Sequence, residues 1–439
     1  MRLFFGSDII GNQKIFSITV TATDCTYTGD STLGVGLTAS LLFTADAGYD
    51  LPTTVTVSGA TAAWDKDAGV LLLSAVTGDV TVSVEAVESQ TAPIYGVSGL
   101  YQSDPSLTRT DDSVGKSITI SNGSVSSDFD SVFPWSEATV ETIDGNKFLH
   151  LPSMWFRIGT DANGRITDVA VSKKQGQSGD WYQTREFYYG CYGATLDENN
   201  KLCSISGDAR ANDKTRAQFR SYASANGAAY HQLDLYTHTI MMFLWWIEWG
   251  TKDSQSVMNG ADQSGTGGHA ELTGGTDSLT TPSGFDTTTN QMRWHYIEDF
   301  VGNMLEFVDG LVGSGTRGGK MYVTDDPTKY SDSSTGLNEL SWNAYYDSYV
   351  DYINWCISSF GWDPNNPFLI MPKNCVRNNS FNTYFCDQNR RPFNTICLWV
   401  GSCYYAGLHD SYGISHCGGE GESFTLAYVG ARLIKEATV

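Results

Sequence analysis

Helical spacing of apolar residues is confined to one window of this chain, Ala211–Trp249, and that confinement limits the fold more than any other feature. The spacing predicts a helix over Thr215–Ala225 and a second over Leu233–Trp249, stopped by Gly250. Elsewhere the sequence alternates or is rich in Gly, Ser and Thr, so most of its 439 residues must form strands and loops. The fold class expected is α+β. Composition agrees, with 45 Gly, 23 Tyr and 12 Trp against only 17% charged residues. The length suits two or three domains, and a hydrophobic share of 41% excludes wholesale disorder. A net charge of −22 argues against a nucleic-acid partner, because phosphate backbones need clustered Lys and Arg.

The chain divides on pattern. Residues 1–13 read as an N-terminal arm. Residues 14–88 read as a β-sandwich, with Phe16, Ile18 and Val20 alternating with Ser17 and Thr19. Within it, Val70–Val76, Gly78-Asp79 and then Val80, Val82 and Val84 predict a strand, a tight turn and a second strand. Residues 89–130, rich in Ser, Asp, Thr and Gly, read as a connector, with Asp128 and Asp130 serving solubility. Aromatic density climbs from Phe133-Pro-Trp135, so residues 131–439 form the principal domain.

The longest apolar run, Ile240–Ile247, is ended by Glu248 and is far short of the ~18 residues of a membrane span. The start of the chain lacks the apolar region of a secretory signal. No membrane insertion is therefore expected. Nine cysteines without a Cys-x-x-Cys pair read as free thiols made in a reducing cytosol, with a Cys403–Cys417 pairing left open.

Several strings carry a resemblance. Gly302-Asn303, followed by Glu306, Phe307, Val308 and Asp309, is similar to the Gly-Asn-Val-Trp-Glu-Trp signature of the formylglycine-generating-enzyme type of C-type lectin fold. Leu398-Trp-Val-Gly-Ser402 and Val429-Gly-Ala-Arg-Leu433 resemble the family's Gly-Gly-Ser and Gly-Ala-Arg-Leu strings. Phe148–Phe156 with Trp181-Tyr182 looks like the start of this fold in phage tail proteins, and residues 14–88 resemble their immunoglobulin-like domains. The resemblance implies a C-type lectin-like domain over 131–439, preceded by an immunoglobulin-like β-sandwich. Catalytic members carry two cysteines just after the Gly-Gly-Ser string. Here Gly401-Ser402 is followed by Cys403 and next by Cys417, so the copper-binding pair is absent and no enzyme activity is expected. No cofactor is expected.

Residues 403–417 are built from Tyr, Ser, His, Asp, Gly and a few small or apolar types, the makeup of a paratope. They lack Trp, Met, Lys, Gln and Glu, the types that codons ending in a pyrimidine do not encode. Residues 378–387 share much of this alphabet. The combination resembles the variable proteins of diversity-generating retroelements, of the phage tropism-determinant kind. That resemblance implies a virion protein of the tail tip or fibre, made in the bacterial host cytoplasm. It implies a variable region of about 375–433 that binds a host cell-surface receptor, protein or glycan. Contact residues on this reading are Tyr384, Asp387, Cys403, Tyr404, Tyr405, His409, Asp410, Tyr412 and His416. Partners would include other phage tail proteins, in a homo-oligomer such as a trimer. A structural tail protein without a selected ligand, or a divergent formylglycine-generating-type enzyme, are the alternatives.

Other constellations read as structural. His409 and His416 are too far apart for a helical metal pair, and no metal site is expected. Asp161-Ala-Asn-Gly164 reads as a turn. Glu298 and Asp299 would point opposite ways on a strand, a poor acid/base pair, and Glu306 and Asp309 are expected to fix backbone turns.

Overall fold

The computed structural model describes residues 9–437 except 11–12, 47–48, 89–91, 259, 261–269, 287, 315–319, 343–354, 378–382, 386–396 and 402–415. The chain forms two compact units, residues 1–92 and 93–439. Strands dominate both, and the described residues contain three α-helices. None of these helices is long and apolar enough to cross a membrane.

In the first unit two sheets enclose one core. Gln13–Thr23 runs parallel to Val80–Glu85, which also pairs with Thr56–Ser58. The second sheet orders Cys25–Gly29, Ala39–Ala45, Val70–Ser74 and Thr61–Asp65. Inward and outward residues alternate along Ala39–Ala45 and Val80–Glu85, which puts Leu41, Phe43, Val80, Val82 and Val84 into the shared core. The two expected strands form at 70–74 and 80–85, and they belong to different sheets. Their connection crosses between sheets because both strands bury every second residue in the core between them.

In the second unit the expected connector is built into the sheets. Ile94–Ser98 lies between Thr108–Asp111 and Ile166–Ser172, and Ser124–Ser127 pairs with Ile118–Ser121. Val97, Val125 and Phe129 are core residues. A neighbouring sheet orders Thr139–Ile143, Asn146–Leu151, β1 (Phe187–Gly193), the C-terminal strand Arg432–Glu436 and Tyr230–Gln232.

Both expected helices form. Helix α1 (Arg216–Ser224) starts at a capping box in which Thr215 and Gln218 satisfy each other's backbone N–H groups. Helix α2 (Leu235–Trp249) is capped by Asp234, whose carboxylate accepts from Thr237 N, and ends at Gly250, left-handed at φ 63°. All of its residues are buried, as expected for a helix apolar on every side. Asp161 forms the expected turn, its carboxylate accepting from the N–H groups of Asn163 and Arg165.

Candidate functional site

The Tyr-rich stretch near the C-terminus is framed by two strands. β2 (Leu305–Val308), which follows the Gly302-Asn303 string, pairs antiparallel with β3 (Cys397–Val400) and parallel with Val429–Gly430. β4 (His416–Glu420) pairs antiparallel with the other side of β3, Cys397 opposite Glu420 and Val400 opposite His416. Residues 401–415 connect these two paired strands in the chain. Gly401 starts the connection at φ 85°, a conformation that favours glycine.

The frame is stiff because β2 and β3 are walled on both faces. Leu305, Phe307, Cys397 and Trp399 enter one hydrophobic cluster, while Val308, Leu398 and Val400 enter the other. Trp399 packs edge-on to Phe307 and stacks on Phe424, with centroids 5.7 Å apart.

Of the expected contact residues, Cys403, Tyr404, Tyr405, His409, Asp410, Tyr412 and Asp387 lie outside the described residues. For His416 only the backbone position is described. Tyr384 is half-buried, left-handed at φ 58°, and donates its N–H to Ser103 O at 2.7 Å. It stands beside Phe385, a core residue packed on Trp246 and Phe360. Cys397 is buried, and that burial pushes its thiol up to about 12, so it stays protonated at neutral pH.

Beneath the frame lies a buried ionic lattice. Glu306, on β2, holds two guanidinium groups, Arg210 Nη2 at 2.8 Å and Arg432 Nη2 at 2.8 Å. Arg432 belongs to the C-terminal string, on β5 (Arg432–Glu436), and also donates to Gly190 O and Glu298 O. Asp309 accepts from Arg220 Nε at 2.7 Å and Gln232 Nε2 at 2.8 Å. Glu306 and Asp309 thus do not fix backbone turns as expected. They anchor arginines from distant segments, because a buried carboxylate requires a charged or hydrogen-bonding partner. Asp299 has left the strand at φ 50°, accepts from Asn303 and Gln291, and faces Arg210. Burial, with the neighbouring Asp299 charge, pushes Glu298 up to about 7. Gly302 is left-handed at φ 103°, and a Cβ there would lie 2.6 Å from Gly260 Cα.

These groups set a pH optimum. His231 sits between Asp234 Oδ2 at 3.1 Å and Glu436 Oε1 at 3.3 Å. Burial works to lower its affinity for a proton, but the two carboxylates win and hold it above the ordinary value. Stability from His231 and Glu298 is present below their unfolded values and is lost as pH rises through the folded ones. For Asp332, burial is outweighed by Arg216 and Arg220; for Glu436, it is outweighed by His231 and Arg185. Both carboxyls are depressed, so their contribution is lost as pH falls through those values. The melting temperature should peak near about pH 5 and fall by about 5 °C towards pH 8. A thermal melt series from acid to mild alkali checks this; a melting temperature still rising between pH 5 and 8 contradicts it.

A second polar cluster was not foreseen. Asp130, expected to serve solubility, lies with Glu248 and His295, one ligand-type atom from each within 4.8 Å of the others. Asp128 likewise has a structural role, accepting from Ser117 N and Oγ. The His295 ring stacks on Trp135 at 3.7 Å and 9°. The only sequence sign was the Trp294-His295-Tyr296 run, whose ring partners come from distant segments. No family model matches the sequence, and no curated protein is significantly similar to it.

Proposed function

We propose that the chain is a receptor-binding, tropism-determining protein of a bacteriophage tail. On this reading residues 131–439 are a C-type lectin-like scaffold, and residues 14–88 an immunoglobulin-like sandwich that attaches to the particle. The observation that carries it is the strand frame. The stretch 403–417, whose composition is that of a paratope, follows β3 and runs into β4, two paired strands of which β3 is buried on both faces. A rigid scaffold under adaptable contact residues lowers the ordering cost of binding. The Glu306–Arg432 ion pair supports the scaffold reading, since it joins two of the strings on which the resemblance rests. The protein binds without turnover on this view, in keeping with a buried, protonated Cys397. Its ligand is a host-surface protein or glycan, engaged by a homo-oligomer in which weak contacts add.

Exchanging Tyr404, Tyr405 and Tyr412 together for alanine tests this. The variant should keep its melting temperature and lose at least about tenfold in attachment to host cells, since each lost aromatic contact costs ~0.5–1.5 kcal/mol. A folded variant that attaches as well as the parent refutes the assignment.

A further inference from the structure

We propose that Asp130 and His295 hold a divalent transition-metal cation between them, with Glu248 orienting the imidazole. Glu248 is fully buried and ringed by donors. Its Oε2 accepts from Trp294 Nε1 at 2.9 Å and lies 2.8 Å from His295 Nε2, while Oε1 accepts from Ser127 Oγ at 3.0 Å. A carboxylate in that position places the imidazole proton on Nε2 and leaves the Nδ1 lone pair on the far side of the ring. Nδ1 points at Asp130 Oδ1, 3.6 Å away, beyond hydrogen-bond reach. That oxygen is shielded from water and has no hydrogen-bond partner.

Two electron-pair donors facing each other across this gap repel, and a cation between them relieves that repulsion. A separation of 3.6 Å is that of neighbouring ligands on one cation with bonds of about 2.0–2.2 Å. A histidine that ligates through one nitrogen and donates from the other to a carboxylate is the usual arrangement around protein-bound metals. The site is also preorganised. His295 and the following Tyr296 both adopt left-handed backbone, at φ 44° and 66°, in the two-residue turn between Trp294 and Ile297. Such a turn ordinarily takes Asn-Gly. Trp135 clamps the ring, and the Asp130 side chain, 29% exposed, opens the site to solvent. Mixed nitrogen and oxygen donors favour zinc, cobalt or manganese over magnesium or calcium. The nearby cation Arg109 donates instead to the carbonyls of Ile247 and Glu248. A bound ion would tie the 128–131 turn, the end of α2 and the 292–298 hairpin together.

The test is titration of the full chain with ZnCl2 at pH 7.5, read by calorimetry and thermal melting, beside Asp130→Asn. The wild type should take up one more tight equivalent than the variant, and the zinc affinity of that class should fall at least tenfold on substitution. Zinc should raise the wild-type melting temperature by several degrees while magnesium does not, and the variant should lose that rise. Asp130→Asn removes a partly exposed carboxylate and should fold. Should it fail to, a Co2+ complex of the wild type whose visible absorption reports a nitrogen ligand supports the site. Equal zinc responses of wild type and variant overturn the proposal, and so does no response of the wild type.

Discussion

Replacing Arg432 by alanine should remove about 3–5 kcal/mol from the second unit, a large part of the stability of a typical domain. The side chain is fully buried and bonds Glu306, Gly190 O and Glu298 O. Alanine leaves the two carbonyls without their donor and Glu306 with Arg210 alone. Arg432→Lys should rescue little, since one ammonium cannot span partners on three segments. Urea unfolding should show the transition of residues 93–439 displaced and that of residues 1–92 unmoved. A displacement worth less than about 1 kcal/mol shows that the lattice is not a structural anchor.

Trp245→Ala should cost about 3–5 kcal/mol by a different route. Its ring lies 5.0 Å from Trp294, 5.4 Å from Trp249 and 5.6 Å from Phe300 between centroids. Truncation opens a cavity inside an aromatic cluster that close packing prevents from collapsing. Trp245→Phe should restore more than half of the loss. The near-ultraviolet circular dichroism of the alanine variant should flatten, and its urea midpoint should drop; an unmoved midpoint means that the cluster refills the space.

What was legible in the sequence is local. Helix α2 could be read because its apolar run and Gly250 are adjacent in the chain, and α1 because its apolar spacing is local too. Alternation in residues 80–85 reports burial directly. The strands of 94–127 were missed because they are short and separated by Ser- and Asp-rich turns, and the partner of Ile94–Ser98 at Ile166–Ser172 lies far along the chain. The roles of Glu306 and Asp309 were misjudged for the same reason, since Arg432 and Arg220 lie 126 and 89 residues away. Gly302 was recognisable as part of a string, but its necessity lies in a close approach to Gly260. For the Tyr-rich stretch composition alone was readable; the pairing of β3 with β4 came from the structure.

The pairing of β1 with β5 has a kinetic consequence. Gly190 and Arg432 are 242 residues apart, yet their strands are neighbours in one sheet. As the chain emerges from the ribosome, β1 waits with one edge unpaired, and Glu306 waits with Arg210 but without Arg432, until β5 arrives. Closing so long a loop is slow, and the open edge invites association between nascent chains. Recombinant yield should therefore respond to synthesis rate and chaperone supply more strongly for residues 93–439 than for residues 1–92.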